Sequence, residues 1–367
     1  MEQVHFQRNQ KADFFMTLRK RVNSYFKEND ISKNANSEMV FKTITMLSLY
    51  FVPQILILTC NFSVITMWLL CFVIGIGLAG IGMSVMHDAN HGAYSKNNSW
   101  NKWIGFTLDI VGANTLNWKN QHNVLHHTYT NIHGMDDDLE SGEILRFSPY
   151  QKRRFYHKFQ HIYCFFFYSW LTLAWMSVKD FKQLYQYTNR GLNDNIKSQK
   201  GGITREWISM IGLKLIYIGY AFVLPVIILD IPWWYVAIGF FTAHFTAGLI
   251  LSFTFQLAHV IGLTDHPKPD DTGSVENTWA VHQLYTTSNF AKKSKLLSWY
   301  IGGLNYQIEH HIFPNICHVH YKKIAEIVKE TTKEFDLPYF EYQTLGSAFW
   351  SHLKQLKLLG STAFVKA

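Results

Sequence analysis

TITMLSLYFVPQILILTCNFSVITMWLLCFVIGIGLAGIGMSVM, from Thr43 to Met86, holds no Lys, Arg, Asp, Glu or His. A membrane-spanning helix needs about 20 apolar residues, so this 44-residue run predicts two spans, at about 43–61 and 63–86, with a turn near Asn61. Working outward, a second apolar region extends from Trp207 to His259, broken by Lys214 near its start and by Asp230-Ile231-Pro232 in its middle. It predicts a second hairpin, with spans at about 207–229 and 232–258. The expected fold is an all-α integral membrane protein with four transmembrane helices in two hairpins.

The charges give the orientation. Of the 34 Lys and Arg, eight precede Thr43, fourteen lie between His87 and Trp207, and eleven follow His259. Neither hairpin tip, at Asn61 or Asp230, carries a basic residue. The positive-inside rule then places both termini, the segment 87–206 and the segment 260–367 on the cytoplasmic side. Long buried helices in a soluble protein would leave this one-sided charge unexplained. The net charge of +8 calls for no nucleic acid, because basic segments next to spans are drawn to anionic lipid. The first forty residues are polar and mixed in charge, unlike a cleaved leader. The four cysteines (Cys60, Cys71, Cys164, Cys317) lack metal-binding spacing and are expected as free thiols. The stretch HIYCFFFYSWLTLAWMSV, His161 to Val178, suggests an interfacial or re-entrant helix.

The histidines fall at the predicted membrane boundary. HDANH follows the first uncharged run and gives His87 and His91, four residues apart and so on one helical face. FQLAH ends the last span with His259, QHNVLHH gives His122, His126 and His127, and QIEHH gives His310 and His311. One HxxxH is weak evidence, but two HH doublets, each led by a polar residue (His122 and Gln307), are specific. A catalytic zinc takes three protein ligands, whereas two six-coordinate ions with an open position absorb eight or nine. Imidazole suits iron, copper, nickel and zinc, so the count points to two metals without naming them. The Glu-x-x-His plan of soluble di-iron bundles is matched only by EQVH at 2–5. HExxH, the P-loop, the dinucleotide fingerprint and Gly-x-Ser-x-Gly are missing. His244, inside the fourth span, reads as a packing or polar-network residue. His133, His157, His161, His266, His282 and His352 read as ordinary polar residues, while His318 and His320 lie close enough to the third doublet to act as hydrogen-bond partners of ligands.

HDANHGAYS, HNVLHHTYTNIHGMDDD, FQLAHV and QIEHHIFPNICHVHY resemble the three histidine boxes and the additional histidine of the integral-membrane fatty acid desaturases. The likeness runs from about Leu78 to the C-terminus and takes in TTSNF (Thr286–Phe290) and GGLNYQ (Gly302–Gln307). Gln307, where other desaturases have His, resembles the front-end type, and the similarity points in particular to cyanobacterial acyl-lipid Δ6 desaturases. The resemblance implies a desaturase domain over 43–367, preceded by a cytoplasmic N-terminal segment over 1–42. It implies two irons held by His87, His91, His122, His126, His127, His259, His310 and His311, with O₂ as oxidant and a membrane lipid or fatty acyl substrate. The two readings of Gln307, weak ligand and partner of a ligand, stay open. No HPGG haem motif of a fused cytochrome b5 domain occurs, so electrons are expected from a separate carrier, ferredoxin or cytochrome b5. The same boxes serve Δ5 or sphingolipid desaturation and lipid hydroxylation. A membrane zinc hydrolase or a non-enzymatic metal-binding protein is the alternative from another class, but one zinc with three ligands leaves five histidines unused.

Overall fold

The structure is a computed structural model that describes residues 4–7, 11, 13–139 and 142–361. Glu2 of EQVH lies outside the described residues. Among the described residues, four helices are long and apolar enough to cross a membrane: Ser37–Thr59, Val64–Asn90, Gly202–Ile228 and Trp233–His259. The four expected spans are therefore present, with shifted ends. The first starts six residues before the uncharged run and includes Glu38 and Lys42. The second starts on a Ser63 cap, whose side chain accepts from Thr66 N, and runs on to Asn90, which carries His87 in its last turn. The chain divides into two compact units, one of Ser37–Asn120 with Phe165–Ser252, the other of Met1–Asn36, Gln121–Cys164 and Phe253–Ala367.

In the membrane unit, small residues let backbones approach, which drives helix association where lipid removes the hydrophobic contrast. A Cβ on Gly75 would lie 2.5 Å from the Ala243 carbonyl oxygen, and one on Gly77 2.5 Å from Tyr50 N. Lys214, which interrupts the apolar pattern, is buried and fully partnered. Its ammonium donates to Asp180 Oδ2 at 2.7 Å, Gly112 O at 2.9 Å and Trp175 O at 3.0 Å.

The histidine-rich unit opens with helix Asp13–Glu28, in which Phe14, Leu18, Val22 and Phe26 repeat every fourth residue. That stripe packs in one core with Ile308, Ile312, Tyr321, Ile324 and Val328. Burial of such side chains is worth about 1.5–3 kcal/mol each. Arg21 grips Glu334 with both terminal nitrogens, at 2.8 and 2.7 Å. Two short parallel pairings, His5–Phe6 with Ser274–Val275 and Asn289–Phe290 with Glu341–Tyr342, tie loops together. The stretch marked as interfacial forms helix Gln160–Ser169 and a continuation from Leu171.

Candidate metal centre

Lys119–His126 winds as a π-helix and continues as α-helix at His127–Tyr129. In an α-helix, residues five apart point about 140° away from each other. A π-turn closes five residues on, which brings His122 and His127 to the same side. Their ring centroids are 4.8 Å apart, while His122 and His126 stack at 5.2 Å. The local winding thus allows one HxxxHH stretch to present three imidazoles together.

The third box sits on the fully buried helix Gln307–Ile312. Asn289, from TTSNF, fixes its start: Oδ1 accepts from Ile308 N at 3.0 Å, and Nδ2 donates to Glu309 Oε2 at 2.8 Å. Tyr339 donates to the other Glu309 oxygen at 2.8 Å. His259 is held from the same side of its loop. Asn131, at φ 60°, donates through one amide nitrogen to the carbonyls of His259 (3.0 Å), Asp265 (2.9 Å) and Thr286 (3.3 Å).

Three rings then converge, with one nitrogen each from His126, His259 and His311 within 4.8 Å of one another. The outward nitrogens face acceptors. His126 Nδ1 lies 2.9 Å from Asp136 Oδ2, and the carboxylate also accepts from the backbone of Asn131 and Asp138. His311 Nδ1 lies 2.9 Å from Gln283 Oε1, whose orientation is set because Thr130 donates to the same oxygen. His259 Nδ1 faces the Thr286 carbonyl at 3.3 Å. With protons held at Nδ1, all three Nε2 atoms present lone pairs inward. His126 and His311 Nε2 are 3.3 Å apart, and His259 Nε2 has no hydrogen-bond partner. Burial, with repulsion from neighbouring imidazoles, holds His126 and His311 well below the ordinary histidine range, so they are neutral.

A second trio converges through its Nε2 atoms, with two of its three rings backed at Nδ1. His127 Nε2 lies 3.3 Å from His122 Nε2 and 3.0 Å from His310 Nε2, with His122 Nδ1 on Asp138 at 2.9 Å and His310 Nδ1 on the Tyr321 hydroxyl at 3.2 Å. Lone pairs facing one another repel unless a cation lies between them. Two nitrogens each about 2.1 Å from one ion sit about 3.0–3.4 Å apart, which is the spacing found here. The donor set fits metal ions. Carboxylate and amide acceptors behind ligand histidines are the usual means of fixing tautomer and ring orientation.

In the membrane unit, His87 and His91 pair with ring centroids 4.7 Å apart, both edge-on to Trp118 at 5.5 and 5.6 Å.

The family profile for fatty acid desaturases matches residues 63–343. The chain belongs to the fatty acid desaturase family. It is 35% identical over 364 residues to the sn-1 linoleoyl-lipid 6-desaturase of Synechocystis sp., covering 99% of each chain. It is 35% identical to the enzyme of that name from Arthrospira platensis, covering 96% of this chain and 94% of the other. With the acyl-lipid (8-3)-desaturase of Physcomitrium patens it shares 37% identity, over 96% of this chain and 72% of that one.

Within this desaturase, six of the eight histidines singled out from spacing gather in one unit, and the remaining two pair in the other. Gln307 is buried, with its side chain in polar reach of His259. His318 is buried beside Gly303. His320 instead serves the N-terminal segment, with Nε2 3.2 Å from Asn34 O and its ring edge on Phe26. His244 is a network residue as read, between the Tyr217 hydroxyl at 2.7 Å and Thr172 Oγ1 at 2.9 Å. Sequence reasoning assigned no role to Asp136, Asp138, Gln283, Thr130, Asn131 or Tyr321. The acidic run MDDD just after the second box was the one available signal for two of them.

Proposed function

We propose that this desaturase is a front-end acyl-lipid Δ6 desaturase with two irons held by His87, His91, His122, His126, His127, His259, His310 and His311. The observation that carries the metal reading is the inward-facing set of Nε2 lone pairs, with His122, His126, His259, His310 and His311 each backed at Nδ1. Likeness to sn-1 linoleoyl-lipid 6-desaturases over nearly the whole chain supports the position of the double bond and a lipid-bound substrate. Gln307 at the head of the third box supports the front-end assignment.

When bound, the irons supply the oxidising power drawn from O₂ that an unactivated methylene requires. The chain's own residues prepare that chemistry. Asp136, Asp138, Gln283 and the Thr286 carbonyl hold protons at Nδ1 of His126, His122, His311 and His259, which keeps the Nε2 atoms of these four rings free to bind. Asn289 and Glu309 fix the helix that presents His310 and His311. Burial keeps bulk water away from the reacting carbons. Overall, two hydrogens leave the acyl chain and one O₂ is reduced to two waters with two further electrons and two protons. A separate carrier, ferredoxin or cytochrome b5, delivers those electrons at a basic cytoplasmic surface, where both termini and the site lie.

Expression in a host without polyunsaturated lipids, fed linoleate, tests the assignment. A new double bond at carbon 6, located by gas chromatography and mass spectrometry in the lipid fraction, is the expected product. Similarity to an acyl-lipid (8-3)-desaturase favours a second reading, front-end insertion into a longer chain. That reading wins if linoleate is untouched while a C20 substrate is converted.

A further inference from the structure

Residues 155–162 are amphipathic in the reverse of the soluble sense. Phe155, Phe159 and Ile162 are 80%, 52% and 63% exposed, at helical spacing along one side. His157 and Gln160 point inward, where His157 Nε2 meets Glu143 O at 2.7 Å and Gln160 Nε2 donates to Leu356 O at 2.7 Å. His157 and Gln160 are satisfied inside and large apolar side chains are turned outward. Such a face fits a lipid boundary.

The adjoining helix, Leu345–Gly360, carries the matching outer stripe: Trp350, Lys354, Lys357 and Leu358 are exposed, with Trp350 at 63%. The two elements form one block. Arg153 Nε donates to Gly360 O at 2.8 Å, and Arg146 donates to Leu359 O. The block's height in the bilayer is set by the fourth span. Phe349 packs on Phe253 with centroids 5.1 Å apart, His352 Nδ1 meets Val260 O at 2.7 Å, and Ser351 Oγ accepts from Gly262 N at 3.1 Å. Phe253 is six residues, or about 9 Å, from the end of that span. The helix therefore lies at the level where the span leaves the hydrocarbon.

The chemistry of the stripe matches that level. Lys158 extends over the Phe159 ring at 4.7 Å, and Lys152, Arg153 and Arg154 precede Phe155. Aromatic side chains interleaved with Lys and Arg are the signature of a headgroup-level anchor, with the basic groups attracted to anionic lipid.

We infer that Phe155, Phe159, Ile162 and Trp350, with Lys158, Lys354 and Lys357, form an in-plane anchor that docks this unit on anionic phospholipid headgroups, separate from the four spans. It does not depend on the position of the double bond or on the metal.

The test uses full-length protein in nanodiscs, spin-labelled at Phe155→Cys in a Cys60→Ser background, which removes the exposed native thiol. Label collision with lipid-soluble O₂ is compared with collision with a water-soluble nickel chelate. The expected result is a label favouring O₂ in discs with phosphatidylglycerol, losing that preference by about five-fold for each charge reversed in Lys354→Glu and Lys357→Glu. Because Phe155 is exposed, the label leaves the fold intact, and a second label at Trp350→Cys should behave alike. Nickel access equal to that of a solvent loop, in every lipid composition, overturns the inference. So does a label shielded from both reagents only when a carrier protein is added, which makes the surface a protein-docking site.

Discussion

Two buried histidines, His244 in the membrane unit and His259 in the histidine-rich unit, differ in one respect. Both rings are removed from solvent, and both sit on the helix Trp233–His259. His244 has a partner at each nitrogen, so nothing remains for it to bind. His259 has one nitrogen on a carbonyl and the other bare, in a ring of neighbours equally aimed. Lys214 extends the contrast, since its charge is closed off by a carboxylate and two carbonyls. Lys214 and His244 use their polar atoms to finish packing, whereas His259 keeps one open. Burial alone does not separate these two histidines; a bare nitrogen among convergent rings does.

The comparison breaks most sharply at the converging rings. His126→Ala or His311→Ala should leave no detectable product and about half the wild-type iron, with membrane insertion unchanged; substantial activity in either would mean the convergence is not a metal site. Asp136→Asn should lower activity about 10- to 100-fold, the usual loss when a ligand's hydrogen-bond partner is replaced. Asp137→Asn, beside it in MDDD, is the control and should stay near wild type in the same product assay.

Gln307→His tests the amide beside His259. It supplies the ring that other desaturases use, yet should lose most activity while iron stays near normal, because a misplacement of about 1 Å can cost 10²-fold. Full activity there would leave the glutamine without a mechanistic role. On the membrane-unit side the readout is stability. Lys214→Met strands the Asp180 carboxylate and should destabilise by about 3–5 kcal/mol, seen as a lower midpoint in thermal unfolding in detergent, with recovery in the Lys214→Met/Asp180→Leu double variant. The smallest effect belongs to His244→Gln, which keeps an acceptor and a donor. We expect activity within a factor of about three and a cost of about 1 kcal/mol.

Much of the candidate site could be read from the chain because its histidines repeat at short spacing next to runs of apolar residues. The spans were legible because a missing charge over 44 residues has few other meanings. The backing residues were not. Asp136 reaches His126 only because the chain reverses at Asn131, with its positive φ, and no local pattern announces that turn. Gln283 lies 28 residues from His311 on a helix with no motif of its own. The π-winding at 119–126 was equally hidden, since its sequence carries no sign that an extra residue enters the turn. His282 and His352 were read as ordinary polar residues, and each meets a backbone carbonyl.

His126 and His311 touch across 185 residues of sequence, and this separation sets a timetable for the newborn protein. At about 5–20 residues per second on the ribosome, roughly 10–40 s pass between the synthesis of the first ring and that of its counterpart. The first two hydrophobic helices precede His126 and the other two are made in that time, so all four are complete before the two rings can meet. A chain stopped before Gln307 would hold all four hydrophobic helices but lack His310 and His311. Assembly of this ring cluster is thus a late event, open only to chains made beyond His311.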